Sequence, residues 1–211
     1  MPPYSRQIFL NVPFDPRYQK LFRALVFAVH DCGFTARCAL EQSDSGQVRL
    51  DKLYQLIEAC QFGVHDLSRT SLDSVNRLPR FNMPLELGIF LGAKRFGTPR
   101  HRQKHTLVLD TLPYRYQKFC SDIAGQDVRP HGNTVGGAIR ALRDWLRETF
   151  PTLHLPGEVR IENRYLQFLR ALPLMCVANG LRVGTVRFVD YRALAVGWQA
   201  ENDAASRPAF A

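Results

Sequence analysis

Long apolar runs, paired cysteines and lysine are all scarce in this chain of 211 residues. No apolar run approaches the roughly 18 residues a membrane-spanning helix needs. The opening MPPYSRQIFLNVPF has no extended apolar segment leading to a small-residue cleavage site, so no secretory signal is expected there. The five cysteines, Cys32, Cys38, Cys60, Cys120 and Cys176, are odd in number, and no two are spaced as C-x-x-C. Neither a zinc site nor a disulfide framework is indicated, and a reducing, cytoplasmic setting fits best. Cys32, Cys60 and Cys176 sit among apolar residues and read as buried thiols.

Several nucleotide and acyl-transfer signatures are missing too. There is no G-x-G-x-x-G, no phosphate loop ending in Gly-Lys-Ser/Thr, and no G-x-S-x-G elbow. A dinucleotide dehydrogenase, a P-loop NTPase and a serine esterase are therefore poor readings. No metal-ligand pattern stands out.

What is present is arginine. Of 28 basic residues only five are lysine, and the formal net charge is +9. Arginine suits bidentate contact with phosphate or carboxylate; a plain compositional bias is the competing account. The densest basic cluster, KRFGTPRHRQKH at 94–105, reads as a solvated loop between a helix and a strand. Only Phe96 is interleaved with it, which argues against single-stranded nucleic-acid binding and makes a nucleic-acid partner unlikely.

The order of elements follows from periodicity. QIFLNV (7–12) reads as a buried strand, then comes a helix with Asp15 as N-cap, Pro16 as first helical residue and Gly33 as stop. FTARCAL (34–40) is a second strand, Leu50–Cys60 a helix, QFGVHDL (61–67) a third strand. A long loop leads to a helix beginning near Asn82. HTLVLD (105–110) is a fourth strand, Tyr114–Ile123 a short helix, and 138–150 an amphipathic helix. Such βα alternation predicts an α/β, doubly wound parallel sheet of flavodoxin-like or Rossmann-like type over residues 1–150. PTLHLPGE suggests a linker at 151–157. Residues 158–200 read as a small C-terminal helical appendage, with a helix interrupted at Pro173 and another over 190–199. It is expected to pack on the main domain or to contact another chain; 201–211 reads as a loose tail.

In a doubly wound sheet, ligands lie beyond the carboxyl ends of the strands. Glu86 is the leading candidate. Its helical neighbours Met83, Ile89, Phe90 and Ala93 are apolar, and a carboxylate kept there against desolvation has a raised pKa and serves as nucleophile or base. The bland alternative is a glutamate favoured by the dipole of a helix N-terminus. Gly88 and Gly92, four apart, suggest a helix that approaches the sheet closely. Asp66 ends the third strand and can bind ribose hydroxyls or merely form a turn. His65, pointing the other way, reads as a core or supporting residue. Ser68 and Arg69 follow, the latter able to pair with phosphate. Asn11, Pro13 and Phe14 follow the first strand, where Phe14 either stacks on a base or sugar or forms a buried staple. Asn82 and Met83 at the helix mouth complete the substrate-binding candidates. The loop EQSDSGQVR, with Glu41, Ser43, Asp44, Ser45 and Arg49, reads either as a flap over the site or as a plain surface loop.

FLNVPFD, HDLS and MPLELGIFLGAK, taken in order, resemble the nucleoside 2-deoxyribosyltransferase-like proteins and the related TIR-like domains over about residues 7–110. In the transferases a similar Y-E-L-G-x-A pattern carries the glutamate nucleophile that attacks the anomeric carbon, which the resemblance places at Glu86, with Leu85 where an aromatic is often found. The sugar-contacting aspartate would be Asp66, and the loop that closes on base or sugar Asn11–Phe14. In the TIR-like branch the matching glutamate cleaves the nicotinamide–ribose bond of NAD, often in bacterial antiphage defence. The 68–81 loop is longer than the family pattern, and the region after 151 has no counterpart.

These readings converge on an N-glycosidase acting on NAD or a related nucleotide as substrate, with no resident cofactor, expected to assemble as a homo-oligomer. A neutral nicotinamide leaves without a strong general acid, and no such acid is evident. A non-catalytic nucleotide sensor with the same fold is the first alternative; a nucleic-acid-binding module driven by charge is the second.

Overall fold

Apolar five- and six-residue runs bounded by turn residues fold into parallel strands, with amphipathic helices on either face. The computed structural model describes residues 2–41, 44–70, 77 and 81–205. In chain order the elements are β1 (Gln7–Asn11), α1 (Gln19–Asp31), β2 (Thr35–Arg37), α2 (Arg49–Ala59), β3 (Phe62–Asp66), α3 (Asn82–Phe96), α4 (Pro99–Arg102), β4 (His105–Asp110), β5 (Val128–Pro130), α5 (Val135–Thr149), α6 (Glu158–Ala178) and α7 (Phe188–Ala205). The strands form one all-parallel sheet in the order β2-β1-β3-β4-β5. The protein is an α/β, doubly wound fold with C-terminal helices.

The strand pleat sorts the core into two faces. Ile8, Leu10, Phe62, Val64, Leu107 and Leu109 pack with α1 and α5. Phe9 packs on the opposite face with α2 and with Phe90 of α3. Thr134 caps α5, its Oγ1 accepting the Gly137 N–H at 3.0 Å.

Helices α6 and α7 form a further layer over α1. The Phe27 ring of α1 meets those of Tyr165, Phe168 and Trp198 at 5.4–6.0 Å between centroids. Tyr191 Oη donates to Arg23 O at 3.1 Å and Gln199 Nε2 to Phe27 O at 3.1 Å. Arg164 joins Asp31 of α1 and Asp203 of α7, both at 2.9 Å. The C-terminal helices therefore share the hydrophobic cluster of the sheet's α1 face.

Several local expectations are corrected. A fifth strand, β5, was not anticipated: it is three residues long, sits at the sheet edge and ends in Pro130. Helix α1 starts at Gln19, because Asp15 folds its carboxylate onto the Arg17 and Tyr18 N–H groups in a turn of its own. Asn82 is the first helical residue of α3, as expected, and Phe81 holds the cap position without a side-chain cap bond. The Tyr114–Ile123 segment is two short 3₁₀ turns, Arg115–Lys118 and Ser121–Ile123. Helix α6 runs through Pro173 without interruption, and α7 continues through 201–205 where a loose tail was expected; residues 206–211 lie outside the described residues. The 151–157 connection is fastened, with Leu155 buried and the Leu153 and Pro156 carbonyls taken by Arg147 and Arg143.

The basic 94–105 cluster is not a plain solvated loop. Its centre is α4, and Lys104 is buried, donating to the carbonyls of Ile57 at 2.5 Å and of Cys60. Burial lowers the Lys104 pKa to about 8. The thiols of Cys32, Cys60 and Cys176 are buried as expected, and so is Cys38. Among the described residues no helix is long and apolar enough to cross a membrane.

Candidate functional site

Strand order fixes where to look. In β2-β1-β3-β4-β5 the chain leaves β1 toward one side and β3 lies on the other, so the switch point is the crevice between the carboxyl ends of β1 and β3. Asn11 ends β1 and Asp66 ends β3.

On the α3 face of the crevice, Asn11 Nδ2 donates to His65 Nδ1 at 2.9 Å and to Met83 O at 3.0 Å. The first turn of α3 is thereby tied to the ends of two strands. With Nδ1 accepting, the His65 proton sits on Nε2. The ring is edge-on to Phe9 and Phe90, and burial, followed by the Lys104 charge, lowers its pKa to about 3. His65 is thus a neutral wedge, the supporting residue the alternation predicted. Asn11 Oδ1 is buried with no hydrogen-bond partner among the described residues.

Glu86 lies one helical turn beyond Met83 and is only 8 % exposed. Burial raises its pKa to about 7, opposed by the Arg49 guanidinium at the start of α2. The two glycines thought to bring α3 close to the sheet do not serve that purpose, since a Cβ at Gly88 or Gly92 would meet nothing within 4 Å. Close approach comes instead from Gly63 of β3, where a Cβ would stand 2.6 Å from His65 Nε2 and 2.8 Å from Phe90 Cζ.

Asp66 projects to the other face, alongside Val64, and is fully buried. Its Oδ1 accepts the Ser68 N–H at 2.7 Å; its Oδ2 accepts the Tyr18 hydroxyl and lies 3.1 Å from His131 Nε2. His131 Nδ1 accepts the Asn133 N–H at 2.9 Å, which places that ring's proton on the nitrogen facing Asp66. Burial, and the Asp66 charge after it, raises the Tyr18 pKa well above the usual phenol value. Glu86 and Asp66 therefore leave opposite faces of the sheet, and Asp66 is a clasp joining β3, α1 and the β5–α5 turn.

The remaining candidates separate likewise. Ser68 serves Asp66 through its backbone. Arg69 pairs with Asp15 at 3.4 Å, which ties the β3 loop to the β1 loop. Pro13 is buried, while Asn82 is exposed at the start of α3. Phe14 is half-exposed and edge-on to Phe22 at 5.3 Å, turned toward α1 and away from Asn11. Of the expected flap, Glu41 is engaged by Arg37 at 2.8 Å and by Arg192 at 3.2 Å; Ser43 lies outside the described residues, as do 71–76 and 78–80 of the loop after β3.

Sequence reasoning passed over Tyr18, His131 and Arg115. Arg115 Nε donates to Asp110 Oδ1 at 2.8 Å, and the same guanidinium reaches Thr70 Oγ1 at 2.7 Å and Leu67 O at 3.0 Å. It pins the first residues after β3 to the end of β4. The only signal for His131 was its position in a Pro-His-Gly-Asn turn before the Thr134 cap. Among the described residues no cluster of three or more His, Cys, Asp or Glu side chains is placed to hold a metal ion. Comparison with family models, with curated proteins and with solved structures found no match to this chain.

Proposed function

We propose that this protein cleaves the base–ribose bond of NAD or a related nucleotide in the β1–β3 crevice, with Glu86 as the reacting carboxylate. The observation that supports this most is Glu86 itself: an acid in the second turn of α3, one turn beyond the Met83 carbonyl that Asn11 ties to the end of β1, and desolvated until its pKa reaches about 7. Asn11 anchors the first turn of α3, and with it Glu86, to the ends of β1 and β3. Arg49, exposed at the start of α2 and electrostatically coupled to Glu86, is suited to a substrate phosphate.

The chemistry is economical. The C1′–N bond breaks and its electron pair neutralises the pyridinium nitrogen, so nicotinamide leaves as a neutral molecule. The Glu86 carboxylate stabilises the oxocarbenium-like sugar or bonds to C1′. Water then takes C1′, giving the ribosyl product and one proton. Asp66 acts here by position, holding the end of β3 and the α1 turn. Because the reaction needs ionised Glu86, kcat is expected to rise as pH passes through about 7.

The test is nicotinamide release from NAD, followed by chromatography, for the parent and Glu86→Gln. The parent is expected to turn over and the variant to lose at least about 100-fold in kcat. Turnover indifferent to the substitution removes Glu86 from its role. A second reading, a non-catalytic nucleotide sensor, draws on the complete enclosure of Asp66, which leaves one carboxylate rather than two at the crevice. Saturable nucleotide binding with no product over hours favours that reading.

A further inference from the structure

A cavity of about 460 Å³ opens between α1 and the start of α7, beyond the ends of β1 and β2. It falls within the range of small-molecule sites, roughly 300–1,000 Å³. Its walls are aromatic. Phe22 and Phe188 stack at 5.7 Å with their planes 29° apart, Phe14 stands edge-on to Phe22, and Tyr191 closes the side. Two arginines share the lining, Arg23 and Arg187, and no Asp or Glu is among the described residues there. The Arg23 guanidinium lies over the Tyr191 ring at 5.2 Å, a contact that holds it at the cavity wall. Neither arginine forms an ion pair with another described residue, unlike Arg164 and Arg192 nearby.

We propose that this cavity is a second binding site, for a planar aromatic anion: a flat ring system seated among Phe14, Phe22, Phe188 and Tyr191, with its phosphate or carboxylate on Arg23 and Arg187. The half-exposed Phe14 ring and the aromatic edges beside it favour a flat apolar body, and two guanidinium groups without a carboxylate partner favour an anion over a neutral or cationic ligand. The site is separate from the crevice that holds Glu86. The β1 loop divides the two, sending Asn11 to α3 and Phe14 to this cavity. The inference stands whether or not the chain is a glycosidase.

The experiment is isothermal titration calorimetry of the full chain with 1-naphthyl phosphate, 1-naphthol and inorganic phosphate. One molecule of 1-naphthyl phosphate is expected to bind per chain, with the neutral alcohol and the bare anion each at least about tenfold weaker. Arg187→Glu and Arg23→Gln are expected to weaken it at least about tenfold, and Thr185→Trp, at an exposed lining position, to block it. Glu86→Gln should leave the affinity unchanged. Arg187 and Thr185 are exposed, so their variants remain informative if Arg23→Gln fails to fold, with circular dichroism as the check. No binding at millimolar 1-naphthyl phosphate, equal binding of 1-naphthol, indifference to Arg187→Glu and Thr185→Trp, or loss on Glu86→Gln would each overturn the proposal.

Discussion

At the scale of single residues, the two carboxylates meet different surroundings. Glu86 is the acid whose fold opposes ionisation. Its folded pKa of about 7 lies above the ordinary 4.5, so the fold favours the protonated form. That stabilisation is complete below about pH 4.5 and is lost as pH rises to about 7. Glu86→Gln is therefore expected to stabilise the protein at pH 8 by roughly 1–2 kcal/mol, allowing for partial solvent access, and to do nearly nothing at pH 4.5. Urea melts at the two pH values measure this, and equal shifts at both would show that Glu86 is ionised without cost. Asp66, by contrast, is held by hydrogen bonds from the Tyr18 hydroxyl and the Ser68 N–H, with His131 Nε2 3.1 Å away but out of hydrogen-bond alignment. Asp66→Asn is expected to cost roughly 2–4 kcal/mol, since it unpairs buried donors. A stable Asp66→Asn variant with only a raised KM would instead make Asp66 a substrate contact.

At the scale of elements, the close contact between β3 and α3 depends on one missing side chain. A Cβ at Gly63 would collide with His65 and Phe90, both fully buried with no room to retreat. Gly63→Ala is expected to cost roughly 1–3 kcal/mol and to shift the His65 ring, readable in its proton resonances; an undisturbed His65 and an unchanged melt would deny the contact its importance. The element pattern itself was legible. Strands β1 to β4 and helices α1, α2, α3 and α5 follow from apolar period and punctuation, and β4 was bounded at the residue. Strand β5 was not legible, because three residues ending in proline carry no period. Nor was the continuity of α6 through Pro173, where packing against α1 and α5 outweighs a single lost hydrogen bond.

For the molecule as a whole, the C-terminal helices pack on the main domain, one of the two placements expected, and form the outer wall of its core. Phe27 of α1 is fully buried only because Tyr165, Phe168 and Trp198 cover it. A chain ending at residue 157 would bare that face, so it is expected to be insoluble or to lack a cooperative melt by circular dichroism; a soluble 1–157 with a sharp transition would show that the sheet needs no such cover. The same layer brings Phe188 and Tyr191 against Phe14 and Phe22 to form the aromatic cavity, which no local pattern announces because these walls come from residues more than 150 positions apart.

The sequence alone determined the alternation of strands and helices, the parallel sheet they imply, and the oddity of Glu86, since each is a matter of near neighbours and their period. Only the tertiary structure decided what each strand-end polar group meets on the face the pleat gives it. Asn11 and His65 go to α3, Asp66 to Tyr18 and His131. The pleat assigns the side, but the partners arrive from distant parts of the chain, and whether a buried acid becomes a reacting group or a clasp depends on them.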